Sequence, residues 1–242
     1  MNVFSKSDIG RIRKSNQDCC HTGLFSNGDA WAIVCDGVGG ANAGDVASAT
    51  ACEQISAVLQ ADFSDNMTDD AIKSLLISAV NKANAVVYQM AQEHSDLNGM
   101  GTTVVAAIVS QNKLHVVHAG DSRAYLLDMD SITQITKDHT LVQQLLDAGN
   151  ITPHEAEIHP QKNYITRALG VENTLLLDYT NCPFAETSSA LICTDGLTKF
   201  LSDNAILALS QKYKNDIFVE NLVQQANEKG GSDNITVALI CH

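Results

Sequence analysis

Two short apolar runs in this chain each stop on an aspartate followed by glycine. The first is "AIVCDGVGG", residues 32–40, and the second is "ALICTDGL", residues 190–197. Runs of this length are too short for a buried helix and suit a strand covered on both faces. A chain built on such strands must cover its sheets from both sides, which restricts it to layered architectures. Asp-Gly is also the commonest turn dipeptide, so either pair alone marks only the end of a strand. The recurrence says more. Asp18 closes "RIRKSNQD", Asp121 follows "HVVHAG", and Asp233 comes just before the last apolar run, "NITVALIC". Strands of one sheet end at common edges. Carboxylates at several such ends can converge, and converged carboxylates repel unless a cation lies between them.

Oxygen ligands without Cys or His suit the hard cations Mg²⁺ and Mn²⁺. Water shared by two such ions loses a proton readily and becomes a nucleophile. A glycine beside each acid lets a backbone carbonyl approach an ion and tolerates a tight turn. The background charge is strongly negative: 15 Lys and Arg against 28 Asp and Glu give −13. Such a field repels nucleic acid and anionic membranes. Within it, "GRIRKSNQD" gathers Arg11, Arg13 and Lys14. Arginine grips phosphate bidentately. Arg11 and Lys14 read as a solvated basic turn, whereas Arg13 stands five residues before an acid that could serve a metal site.

The seven cysteines are odd in number and form no Cys-x-x-Cys pair. Cys35, Cys52, Cys193 and Cys241 sit in apolar runs. That usage fits buried small hydrophobes in a reducing compartment, not a disulfide framework. The first ten residues hold no apolar signal core and no run reaches membrane-spanning length, so the expectation is a soluble cytoplasmic protein. No repeat, low-complexity tract or linker interrupts the chain, so one domain is expected over 1–242.

Periodicity predicts helices over 43–60, over about 70–90, over 140–149 with Gly149 as cap, and near 203–213 and 216–229. It predicts strands over 30–35, 102–109 and 113–120, at "RAYLL" and "ITQIT" around a turn at 128–131, at "SALICT", and at the C-terminal end. Strands adjacent in sequence read as hairpins, so the sheets should be mostly antiparallel within an α+β layering. Rival motifs fall away. Asp128-Met129-Asp130 lies mid-chain between hairpin strands, not at the start of a parallel doubly wound sheet. No cysteine has an arginine six residues on. "HEAEIH", residues 154–159, is one residue too long for a zinc-binding helix face. His115 and His118 are odd-spaced on one strand and face opposite sides. The glycines after Asp36 have neither the Walker lysine nor the dinucleotide spacing.

The ordered set "RKSNQD" (13–18), "DGVGG" (36–40), "GTT" (101–103), "AGDSR" (119–123), "TRALG" (166–170), "CTDGL" (193–197) and "SDNIT" (232–236) covers nearly the whole chain. It resembles the metal-dependent protein phosphatases of the PPM family, type 2C, most closely the bacterial single-domain members. The resemblance implies a four-layer α-β-β-α sandwich of two mostly antiparallel sheets flanked by helix pairs. It implies a serine/threonine phosphatase with two Mn²⁺ or Mg²⁺ ions and a third, weaker one, attacking phosphoserine or phosphothreonine with a water activated by the metal pair. Asp36 would bridge the two ions, the Gly37 carbonyl would ligate one, Asp195 and Asp233 would hold the other side, and Asp18 would act through water. Asp121 would serve the third ion and Arg13 the phosphoryl group. Residues 139–171 would form the family's flap beside the site. The implied partners are phosphoproteins and an opposing Ser/Thr kinase, with the chain monomeric. Gln17 stands where many members carry Glu, and Val38 where animal members carry a histidine. The alternative on the same fold is a catalytically silent phospho-binding or scaffolding module, which loss of a metal aspartate would mark; no such acid is missing.

Overall fold

The computed structural model describes residues 1–38 and 40–242, with side chains for all of these except residues 40–42. Gly39 of the Asp36 motif therefore lies outside the described residues. The chain begins with β1 (Asn2–Asp8), β2 (Asp18–Leu24) and β3 (Ala30–Val38), then α1 (Gly40–Asp62) and α2 (Asp69–Glu93). The next strands are β4 (Gly101–Thr102), β5 (Val104–Ser110), β6 (Lys113–Ala119), β7 (Arg123–Leu127) and β8 (Ile132–Gln134). Two short helices follow, α3 (Leu141–Asp147) and α4 (Pro153–Ile158), and then β9 (Asp178–Pro183) and β10 (Ser189–Cys193). The chain closes with α5 (Asp195–Thr198), α6 (Asp203–Lys212), α7 (Asn215–Glu228) and β11 (Ile235–Cys241).

The strands form two antiparallel sheets, ordered β1-β11-β10-β7-β8 and β2-β3-β5-β6-β9, with β4 added at the end of β3. Strand β3 shows why its run is apolar on both faces. Ala30, Ala32 and Val34 point to the other sheet, against Ala190, Ile192 and Ala238 among others. Trp31, Ile33 and Cys35 alternate with them and pack under α1 and α2, on Ala47, Ile55 and Leu76. On the far side, Tyr125, Leu191, Val237 and Leu239 meet Phe218 and Leu222 of α7. The layers are thus helix pair, sheet, sheet, helix pair, the sandwich the resemblance implied. Truncating a fully buried side chain such as Ile33 to Ala would cost about 2–5 kcal/mol.

Helix α2 has the expected stripe, with Ile72, Leu75, Leu76, Ala79, Val80, Ala83 and Val87 buried. Thr68 caps it by accepting the Ala71 N–H. Gly149 ends the α3 turn with φ of 69°, and the β5–β6 turn puts Gln111 and Asn112 at φ of 49° and 58°. Four features differ from the sequence reading. Strands β1, β2 and β9 carry no continuous apolar run. The span 102–109 is split, so that β4 pairs with Gly37 and Val38 while β5 runs on from Val104. Asp36 lies inside β3, not at its end, and Asp195 opens a helix. Residues 153–158 form a helix with Pro at its start and a Thr152–Glu155 capping box.

Candidate active site

The register of β2 on β3 sets Asp18 opposite Asp36. Strand β11 lies beside β10, so Asp233, two residues before β11, comes next to Asp195 at the end of β10. Asp121 follows β6 across the sandwich. Asp36, Gly37, Asp121, Asp195 and Asp233 line one cleft of about 950 Å³, with Arg13 at its side. Asp18 stands behind Asp36 and is felt electrostatically there. The sequence-expected acids therefore gather at one end of the sandwich.

The backbone around Asp36 is clamped. Its N–H donates to Thr103 Oγ1 at 3.0 Å, and its carbonyl accepts from the Thr103 N–H and the Thr102 hydroxyl, each at 2.9 Å. The Gly37 N–H donates to the Gln17 carbonyl at 3.0 Å. The recurring glycines follow from this crowding. A Cβ on Gly37 would overlap the Gly44 and Gln17 carbonyls, and one on Gly196 would overlap the Asn234 carbonyl. Neither glycine has a left-handed φ, so close approach, not a turn, demands them. Asn234 ties the basic loop down: its amide donates to Ile9 O and Ser15 O, and its Oδ1 accepts the Gln17 N–H at 2.9 Å.

Burial pushes the Asp36 carboxyl well above the ordinary carboxylate range, and the charges of Asp18, Asp195, Asp121 and Asp233 push it further. Burial likewise lifts Asp18 to about 7, against hydrogen bonds from Thr236 and Thr194, with Asp195 and Asp233 adding to the rise. Asp121 is lifted to about 7 by burial and by the charges of Asp195 and Asp138. Burial also raises Asp195, although Lys199 opposes it. Asp233 differs. Burial works against its charge, but the Lys199 ammonium and the Arg13 guanidinium outweigh burial and hold it low. Lys199 Nζ sits 2.7 Å from both Asp195 Oδ2 and Asp233 Oδ2, and Arg13 Nη2 sits 2.7 Å from Asp233 Oδ1.

This donor set fits divalent cations. Among the described residues, Asp18 Oδ1 and Asp195 Oδ1 are buried with no hydrogen-bond partner. Buried, mutually repelling carboxylate oxygens of this kind call for a hard positive charge. Among the described lining residues there is no His, Cys or Tyr. Lys199 was missed in the sequence; its only signal is the four-residue spacing after Asp195 on α5, where i and i+4 share a face.

His118, His139 and Asp178 also bring ligand-type atoms within 4.8 Å of one another. Their contacts argue against an ion. His139 Nδ1 accepts the Gly120 N–H at 3.1 Å, and its Nε2 lies 3.1 Å from Asp178 Oδ2 and 3.0 Å from the Arg167 guanidinium, a positive charge already seated in the group. His118 Nε2 donates to the Lys137 carbonyl at 2.9 Å. Arg167 Nη1 already pairs with Asp178 Oδ1 at 2.7 Å, which commits it away from the cleft. The group is a brace behind the Gly120–Asp121 turn.

The segment 139–171 carries α3 and α4 and is tied back by isolated bridges Thr140–Ile165 and Thr102–Leu169. It borders the cleft through Asn163 and Ile165.

The family model for protein phosphatase 2C matches residues 11–239. A serine/threonine phosphatase stp from Listeria welshimeri is 38% identical over 99% of this chain and 95% of its own. The serine/threonine protein phosphatase PstP of Mycobacterium tuberculosis is 37% identical over 97% of this chain, which spans 44% of that longer protein. The crystal structure of serine/threonine phosphatase Stp1 from Staphylococcus aureus is similar with a TM-score of 0.92 and 31% identity, over 99% of this chain and 94% of that one.

Proposed function

Since the chain belongs to the protein phosphatase 2C family and is a protein serine/threonine phosphatase, we propose that its cleft hydrolyses phosphoserine and phosphothreonine with the acids described above holding Mn²⁺ or Mg²⁺. The observation that carries this reading is the convergence of Asp36, Asp121, Asp195 and Asp233 on one cleft with Asp18 behind Asp36, Asp18 and Asp195 each having a buried, unpartnered oxygen. Asp36 is assigned as the ligand shared by two ions, joined by the Gly37 carbonyl on one of them. Asp195 and Asp233 are assigned to the other side, Asp18 to a contact through water, and Asp121 to a third, weaker ion. Bound there, the ions lower the pKa of water and offset the negative charge of the phosphoryl group.

The chain's own groups do the rest. The Arg13 side chain is half exposed at the cleft and carries a planar fork suited to phosphoryl oxygens. To reach the substrate it would leave Asp233, whose carboxylate would then be free to hold a cation. Val38 contributes an apolar surface and no proton, so no imidazole serves the leaving oxygen. Gln17, in place of an acid, keeps its backbone contacts to Gly37 and Asn234.

The proposal extends to a single catalytic domain over 1–242, acting as a monomer in the cytoplasm on proteins phosphorylated by an opposing Ser/Thr kinase. Among the described residues, no helix is long and apolar enough to cross a membrane. The silent-module alternative is not favoured, because every acid the reaction needs is present. A phosphothreonine peptide tests the assignment. Its hydrolysis should stop in chelator and return with Mn²⁺ or Mg²⁺, and Asp36→Asn, Asp195→Asn and Asp233→Asn should each abolish it. Full activity after dialysis against chelator would remove the metal reading, and near-normal kcat in all three variants would remove the ligand assignment.

A further inference from the structure

Beside the cleft lies an apolar groove of about 660 Å³, and the two share Val38, Asn163 and Ile165. Its walls include Tyr164, Val171 and Leu176, which are 59%, 50% and 68% exposed. Single exposed apolar side chains are ordinary on a protein surface. Here three of the nine large exposed hydrophobics among the described residues meet in one depression that opens into the active-site cleft. Grouping of that kind marks a binding surface.

The groove is held in shape from below. Asn84, buried on α2, accepts the Gly170 N–H at 2.7 Å and donates to the carbonyls of Glu172 and Asn173. Leu169 exchanges two backbone hydrogen bonds with Thr102, at 2.8 and 2.9 Å. Gly101 leaves room for Val171, whose Cγ2 would lie 2.7 Å from a Cβ there, with Val38 beside it. The wall is therefore bonded to α2 and to β4, which pairs with β3 just past Asp36. Little conformational freedom is left to lose when a ligand settles on it.

We propose that this groove is a substrate subsite that takes an apolar side chain, such as Leu or Phe, close in sequence to the phosphoserine or phosphothreonine. The argument for that occupant is continuity with the cleft. Val38 follows Asp36 by two residues of extended strand, about 7 Å at about 3.3 Å per residue. An extended substrate anchored by its phosphoryl group thus puts a residue one to three positions away over the groove. The proposal rests on the phosphatase reading above, and the test separates the two.

The Mn²⁺-loaded protein is given phosphothreonine peptides in which each position from −3 to +3 is Leu, Phe, Ser or Asp in turn, together with p-nitrophenyl phosphate, which has no flanking residue. Leu or Phe at one position should raise kcat/KM by about tenfold or more over Ser, chiefly through KM. Leu176→Glu combined with Val171→Ser should bring that preference to within about twofold, as Tyr164→Ser should reduce it in part. All variants should hydrolyse p-nitrophenyl phosphate at the unaltered rate, which also shows that they fold. Absence of any apolar preference in the unaltered protein, or its survival in the double variant, overturns the proposal. Dimerisation abolished by Leu176→Glu overturns it in favour of a second copy of the chain as occupant. Failure to hydrolyse p-nitrophenyl phosphate at all removes the phosphatase reading beneath it.

Discussion

Replacing Asp18 with Asn should stabilise the metal-free protein while damaging the enzyme. Asp18 is held at about 7 against an ordinary 3.8. The folded chain therefore binds this proton more tightly than the unfolded chain. Between those two values the unfolded state carries fewer protons, so stability falls as pH rises. A tenfold change in proton affinity is worth about 1.4 kcal/mol, so ionised Asp18 costs the fold about 4 kcal/mol at pH 8 and about 1 kcal/mol at pH 4.5. An amide removes that cost. Its oxygen can still accept the Thr194 hydroxyl, 2.9 Å from Asp18 Oδ2. Its nitrogen takes the place of the unpartnered Oδ1. In chelator at pH 8, Asp18→Asn should raise the Tm by about 8–16 °C, given about 2–4 °C per kcal/mol for a chain of this size. At pH 4.5 the gain should shrink to a quarter of that. Mn²⁺ at about a hundred times its Kd should stabilise the unaltered protein by about 2.7 kcal/mol per site, and the variant by less. Asp36, Asp121 and Asp195 act in the same direction as Asp18, whereas Asp233, held low, supports the fold above its ordinary value and loses that support in acid. The measurement is thermal unfolding in chelator at pH 4.5, 6 and 8. A gain of equal size at all three pH values would refute the reasoning.

Arg13→Ala should raise KM for phosphopeptides and lower kcat/KM by roughly ten- to a thousandfold, with partial recovery in Arg13→Lys and near-normal kinetics in Arg11→Ala and Lys14→Ala. Steady-state kinetics on one phosphopeptide checks all four, and an Arg13→Ala variant that matches the two controls contradicts the clamp. Asp121→Ala should cut turnover yet leave the two tighter ion sites in a calorimetric titration; loss of those sites contradicts its assignment to a third ion. Lys199→Met should tighten Mn²⁺ binding to the resting protein, because the ammonium that now pairs with Asp195 and Asp233 no longer competes. Calorimetry that shows unchanged or weaker binding contradicts that role.

Asp36, Asp121, Asp195 and Asp233 were legible because each follows or precedes a run buried on both faces, and such runs announce strand ends; Asp18, which opens β2, stood out only within "RIRKSNQD". The three strands with no such signal, β1, β2 and β9, are all edges of their sheets. An edge strand is covered on fewer sides, and the half-buried pattern of "DCCHTGL" has neither a continuous run nor clean alternation. The glycines were legible as necessary but not for the right cause, since the carbonyls that crowd Gly37 and Gly196 come from Gly44, Gln17 and Asn234. The pairing of Arg13 with Asp233 joins residues some two hundred positions apart, and no local pattern carries that. The groove at Val171 and Leu176 was invisible for the opposite reason: isolated apolar residues in a polar segment carry no period.

The last strand lies inside its sheet, not at an edge. β11 is inserted between β1 and β10, with Asn2 facing Cys241 at one end of the ladder and Asp8 facing Ile235 at the other. β1 is therefore joined to its sheet only through β11, and β1 and β10 stay unlinked until that strand is in place. Arg13 follows β1, Asp233 precedes β11, and the two pair at 2.7 Å. Loop-closure entropy makes this longest-range pairing a late event. The Arg13–Asp233 pair at the cleft thus comes together only once β11 has joined β1 to β10.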